Sequence, residues 1–256
     1  MCFDPTARPP IDGELRPIES TALLLEPTLD RTMQAFLAVP GSAIQGSTGV
    51  ILLPDNRGVT PFYQRLAEHL ASAGYPTLAI DYFARQQDDL QPNVSDMRVL
   101  MQRIADLTRD GCYDNVSTGV RYLRNLEGPK IARVIALGFC MGGRIAFLAS
   151  QEHFGLAGVI GLYGSLDAIL DAPGPTQLAK QLSAPILGIF GGADAFIPAQ
   201  SVSAFEEALK DAGVSHEIVV YPGAPHSFFD ITYGEHVAIC ADTWKRILGF
   251  LKAHSA

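Results

Sequence analysis

One short segment of the chain has the residue types and spacing of a covalent nucleophile site. Residues 138–143 read G-F-C-M-G-G, directly after the apolar run A-R-V-I-A-L at 132–137 and before a stretch of helical periodicity. This is the G-x-nucleophile-x-G pattern with Cys140 in the nucleophile position. Such a nucleophile sits on a tight, strained strand-to-helix turn. Side chains at Gly138 and Gly142 would collide with neighbouring backbone, and Gly143 lets the helix close on the sheet. The N–H of Met141 then lies at the helix N-terminus, where the dipole favours a developing oxyanion. Three glycines at fixed offsets from any of four cysteines arise by chance in roughly one in 300 chains of this composition. The competing reading of Cys140 is a small buried hydrophobe, a common use of cysteine.

Two later loops supply partners. After the run P-I-L-G-I-F at 185–190 comes G-G-A-D-A-F-I-P, in which Asp194 could orient a histidine and stabilise its charged form. Taken alone, Asp194 reads as a turn residue or helix cap, the commonest use of a loop aspartate; with the other two members in register it reads as the acid of a triad. After H-E-I-V-V-Y at 216–221 comes P-G-A-P-H-S-F-F, with His226. Of the six histidines, His69 and His153 fall on predicted helices, His216 on a strand and His254 in the tail; His236 opens the last helix. Only His226 follows a strand within a Gly/Pro loop and comes after both other members. The order nucleophile, acid, histidine is that of α/β-hydrolases. A thiolate beside an imidazolium and a helix N-terminus is expected to have a depressed pKa.

Further candidates surround this set. The loop D-N-R-G-V after T-G-V-I-L-L-P at 48–54 would donate a second oxyanion N–H, that of Asn56. Asp55 there either modulates the thiol or simply forms the turn. Arg57 and Arg85 could face the pocket and bind an anionic substrate, or lie on the surface. Phe83, Tyr163 and Phe228 are candidate pocket walls, although aromatic residues serve more often in the core.

These loops need elements to hold them. Apolar runs at 32–40, 48–54, 77–80, 132–137, 156–162, 185–190 and 216–221 read as strands. Helical patterns fall at about 62–73, 95–126 with an interruption near Gly111, 142–152, 198–213 and 236–253. Alternation of strand and helix implies an α/β fold: a mainly parallel central sheet with helices on both faces. Ligands bind outside the carboxyl ends of such strands. Residues 1–20, rich in Pro and polar groups, read as an N-terminal arm, and 21–256 as a single domain.

Composition bounds the partners. Of the 256 residues, 48% are hydrophobic and 18% charged, enough apolar material for a large core. A formal net charge of −8 disfavours nucleic acid and anionic membrane surfaces. No apolar run has the length of a membrane span, and the first residues have no secretory h-region. Cys2, Cys112, Cys140 and Cys240 form no C-x-x-C pair, which argues against a disulfide scaffold or a thiolate zinc site. A reducing, cytoplasmic location fits and would preserve a thiol nucleophile. Oligomeric state is not readable from these features.

With these residues in hand, the chain resembles the dienelactone hydrolase family. The resemblance covers roughly 30–252 and rests on G-F-C-M-G-G, D-Y-F-A-R-Q at 81–86, L-Y-G at 162–164, G-G-A-D-A-F-I-P and A-P-H-S-F. It implies a compact α/β-hydrolase fold without a large lid domain, cleaving lactones or carboxylic esters through an acyl-enzyme, with no metal or organic cofactor. Two positions depart from the family. Asp55 stands where the family often has Glu. Phe229 and Asp230 follow H-S-F, where dienelactone-cleaving members place a carboxylate-binding arginine. Arg98 or Arg103 could partly compensate. The alternatives are a general carboxylesterase or thioesterase on the same triad, and a non-catalytic small-ligand binder.

Overall fold

The computed structural model describes residues 7–29, 32–41, 48–83, 97–128, 130–169, 172–230 and 234–255. They form two units: Gly13–Val134, and residues 7–12 together with those from Ile135 onward.

The first unit contains strands β1 (Ile18–Leu25), β2 (Met33–Pro40), β3 (Thr48–Leu53) and β4 (Thr77–Ile80). Its helices are α1 (Pro61–Ser72), α2 (Met97–Ala105) and α3 (Arg109–Arg124). Its strands lie in the order β1-β2-β4-β3. β3 and β4 are parallel and linked through α1, as strand–helix–strand connections require. β2 runs antiparallel to both β1 and β4. Every residue of β3 and β4 is buried, so both faces of these strands are covered. α1 starts with Pro61 and turns Phe62, Tyr63, Leu66, Ala67, Leu70 and Ala71 inward at helical spacing. It stops at Gly74, whose φ of +103° suits glycine.

Two details differ from the sequence reading. The break in the long helical region falls before Thr108, not at Gly111. The Thr108 hydroxyl accepts the Gly111 N–H at 3.2 Å, so this glycine lies in the capped first turn of α3. β1 was not anticipated. Seven of its eight residues are at least partly solvent-exposed in a run without alternation, so the apolar periodicity of a half-buried strand is missing.

The second unit contains β5 (Arg133–Phe139), α4 (Met141–Leu148), β6 (Gly158–Leu162), β7 (Ile186–Gly191), α5 (Ala199–Ala212), β8 (His216–Tyr221) and α6 (Val237–Ala253). The strands lie in chain order, all parallel. The expectation of a mainly parallel arrangement with helices on both faces holds, and β6 demonstrates the second point. Gly158 and Gly161 are three residues apart and so face opposite sides of the strand. A Cβ on Gly158 would meet the Phe250 ring of α6 at 2.7 Å; one on Gly161 would meet the Phe147 ring of α4 at 2.3 Å. Gly161→Ala is therefore expected to destabilise the protein by about 1–3 kcal/mol through overpacking. Denaturant unfolding checks this; an unchanged midpoint would mean that Phe147 can step aside.

Parallel strands in chain order place the segments after β5, β6, β7 and β8 at one end of this unit. Those segments begin with Cys140, Tyr163, Gly192 and Pro222. Among the described residues, no helix is long and apolar enough to cross a membrane.

Candidate active site

Cys140 joins β5 to α4 with φ 53° and ψ −114°, a conformation that costs a non-glycine residue of order 1–3 kcal/mol. Its neighbours enforce it. The Cys140 N–H donates to the Leu162 carbonyl at 3.0 Å, and its own carbonyl accepts the Arg144 N–H at 3.1 Å. A Cβ on Gly138 would lie 2.0 Å from the Gly142 carbonyl oxygen, so only glycine permits the chain to double back here. Gly143 lets α4 approach β6: its Cβ would lie 2.8 Å from the Leu162 oxygen. The Met141 N–H, in the first turn of α4, has no acceptor within its own helix and is available to an oxyanion.

Asp194 and His226 meet because the loops after β7 and β8 are stitched together. The Gly192 N–H donates to the Tyr221 carbonyl at 2.8 Å and the Ala193 N–H to the Ala224 carbonyl at 3.0 Å. Asp194 Oδ1 accepts the N–H groups of Phe196 at 2.8 Å and Ile197 at 3.2 Å. This turns Oδ2 toward His226, whose Nδ1 lies 2.7 Å away. Both side chains are buried. The Cys140 side chain is near enough to the imidazole to act on its charge. Burial by itself would lower the His226 pKa. The hydrogen bond to Asp194, the hydrogen bond and charge of Cys140, and the charge of Asp194 outweigh it, and the pKa is raised to about 9. The imidazolium is thus the favoured form at neutral pH, donating Nδ1–H to the aspartate.

Among the described residues, the non-glycine residues with positive φ are Cys140, Tyr163 (39°) and Ser227 (58°), and all three lie in this cluster. Tyr163, directly after β6, is fully buried, and its ring sits 5.1 Å from the His226 ring. Phe228 is also fully buried, edge-on to Tyr163 at 5.6 Å and to Tyr221 at 5.6 Å, where it supports the His226 loop from below. Asp230 is buried, and its Oδ1 accepts the N–H of Arg8 at 3.1 Å. This carboxylate at the end of the His226 loop therefore holds the N-terminal segment.

Asp55, Asn56, Arg57 and Phe83 lie in the first unit, after the carboxyl ends of β3 and β4, and Arg98 and Arg103 lie on α2. Asp55 is buried and gripped by Arg57: Oδ1 accepts the Arg57 N–H at 2.9 Å, and Oδ2 lies 3.0 Å from Nη2. The Asp55 N–H donates to the Tyr63 hydroxyl at 2.9 Å. The Asn56 carbonyl accepts Arg103 Nη1 at 3.3 Å, and the same guanidinium lies 4.3 Å over the Phe83 ring. Burial raises the Asp81 pKa, against the nearby Arg103 charge and the Phe83 N–H. Arg103 is thus a buried structural cation, whereas Arg98 is exposed. Arg85 lies outside the described residues. Phe196 and the Arg103 contacts were missed by sequence reasoning; only the position of Phe196 two residues after Asp194 could have drawn attention to it.

Comparison with known proteins adds to this geometry. The family model described as the dienelactone hydrolase family matches residues 33–255. A provisionally named carboxymethylenebutenolidase of Salmonella typhimurium (strain LT2) is 32% identical over 227 residues, 87% of this chain and 83% of that protein. Its Escherichia coli K12 counterpart, with the same provisional name, is 31% identical over 233 residues, covering 89% and 85%. The crystal structure of a provisionally named dienelactone hydrolase from Klebsiella pneumoniae superposes with a TM-score of 0.82 at 29% identity, over 93% of this chain and 99% of that one.

Proposed function

The chain belongs to the dienelactone hydrolase family, and from that premise we propose that it hydrolyses small carboxylic esters or lactones through a Cys140–His226–Asp194 triad and an acyl-enzyme. The observation that carries the reading is the His226 imidazole held 2.7 Å from the Asp194 carboxylate, with Cys140 near enough to the same ring to raise its pKa.

The steps follow from that pairing. The Cys140 thiolate attacks the carbonyl carbon, and the carbonyl π pair moves onto oxygen. The Met141 N–H stabilises that charge. The oxyanion collapses and expels the alkoxide, which takes a proton from the His226 imidazolium and leaves a thioester on Cys140. Neutral His226 then accepts a proton from water as the hydroxide adds to the thioester. Collapse releases the acid and restores the thiolate–imidazolium pair. Asp194 holds the ring and stabilises its charge throughout. Asp55, held by Arg57, keeps its loop in shape in this reading. A reducing, cytoplasmic setting belongs to the same proposal, because the nucleophile must remain a thiol; among the described residues, Cys112, Cys140 and Cys240 are not in disulfides.

Intact-protein mass spectrometry after mixing with p-nitrophenyl acetate tests the reading. An acetyl adduct is expected on Cys140 and is expected to disappear with time as water releases it. Absence of any adduct across an ester, thioester and lactone series would favour a protein that only binds such molecules.

A further inference from the structure

Phe196 is out of place for a phenylalanine: it is 67% exposed, although the next residue, Ile197, is buried. Its position is fixed. The Phe196 N–H donates to Asp194 Oδ1 at 2.8 Å, and Ile197 anchors the chain on the other side. The ring stands edge-on to His226, with centroids 5.3 Å apart and planes at 68°. The imidazole thus has two aromatic neighbours, the buried Tyr163 and the exposed Phe196. Phe196 leaves apolar surface in water next to the group that must protonate a leaving oxygen. The two loops that meet here, G-G-A-D-A-F-I-P and P-G-A-P-H-S-F-F, carry no Lys or Arg.

We propose that Phe196 is a specificity-determining residue that forms the apolar wall for the alcohol side of an uncharged ester or lactone. The proposal rests on the Cys140–His226 reading above. The side of the substrate follows from proton transfer. The leaving oxygen must come within hydrogen-bond reach of the His226 imidazolium, so the carbons attached to that oxygen pass along the imidazole flank. Phe196 stands on that flank. An apolar alcohol chain there removes its own surface and that of Phe196 from water, whereas a carboxylate would be desolvated without a cation from either loop.

Ethyl acetate and hexyl acetate provide the test. Their alkoxides have nearly the same basicity and both esters give the same acetyl-enzyme, so deacylation is common and any difference reports acylation. In Phe196→Ala, kcat/KM for hexyl acetate is expected to fall about tenfold and that for ethyl acetate less than about twofold, mainly through KM. Phe196→Leu is expected to restore most of the preference, because it returns apolar bulk without an aromatic ring. The pH profile of kcat/KM should keep its alkaline limb. An equal loss on both esters with a displaced limb would mean that Phe196 only shields the His226–Asp194 bond, and would overturn the proposal. An unchanged hexyl-to-ethyl ratio would overturn it as well. The Cys140→Ala variant separates the two readings. If it still hydrolyses hexyl acetate, the triad fails; if it is inactive while Phe196→Ala keeps the parent ratio, only the role of Phe196 fails.

Discussion

Cys140→Ala is expected to lower kcat for ester or lactone hydrolysis by about 10⁴-fold or more while leaving the fold intact. The magnitude is that of losing a triad nucleophile, after which only oxyanion stabilisation and binding remain. The variant isolates the sulfur. Alanine keeps the Cβ, so the strained backbone at φ 53° and ψ −114° is retained, and the bonds to Leu162 and Arg144 use backbone atoms only. Cys140→Gly adds a control. Glycine relieves the positive-φ strain, so this variant is expected to be inactive yet more stable than Cys140→Ala by about 1 kcal/mol. Steady-state kinetics and thermal unfolding of the three proteins check both statements. Undiminished turnover in Cys140→Ala would remove Cys140 from the mechanism.

Asp194→Asn is expected to cost a similar amount, about 10⁴-fold in kcat, and to change the pH dependence in a direction that can be worked out. In the parent, His226 titrates at about 9 because Asp194 and Cys140 outweigh burial. The asparagine removes the carboxylate charge and the charge-assisted bond at 2.7 Å but leaves burial in place. The His226 pKa therefore falls. The competent form is the thiolate–imidazolium pair, which is lost as the imidazolium deprotonates. The alkaline limb of the rate profile should lie near pH 9 in the parent and move to lower pH in the variant. Stability follows the same sign. The folded pKa of His226 lies above the ordinary imidazole value of about 6.5, so its contribution is complete below about pH 6.5 and is lost as pH rises through about 9. Chemical unfolding between pH 6 and 10 should show this slope in the parent and a weaker one in Asp194→Asn. An alkaline limb that stays near pH 9 in the variant would contradict the role given to Asp194.

Substrate choice is a separate matter from chemistry. Asp230 stands where dienelactone-cleaving relatives are expected to have a cation, and its buried carboxylate accepts the backbone N–H of Arg8. Together with Phe196 beside His226, this supports the proposal of an uncharged substrate.

The three residues proposed as a triad were legible in the amino-acid sequence because each stands in a loop directly after a strand. Gly138 and Gly143 permit the turn that displays Cys140, and Asp194 and His226 each follow an apolar run of strand length. Burial on both faces makes β3, β4, β6 and β7 continuous apolar runs, so alternation with helices implied a parallel sheet. β1 was not legible, because a largely exposed strand is held by backbone hydrogen bonds to β2 and needs no apolar pattern. The partners of individual charges were also hidden. Arg103 satisfies Asn56, 47 residues earlier in the chain, and Asp230 holds Arg8, 222 residues away. No local spacing encodes such pairs; they exist only once the elements have packed. The same holds for Phe196. Composition makes a phenylalanine a core residue by default, and only the Asp194 turn, which sends Ile197 inward and leaves Phe196 in water against His226, turns it into part of the site.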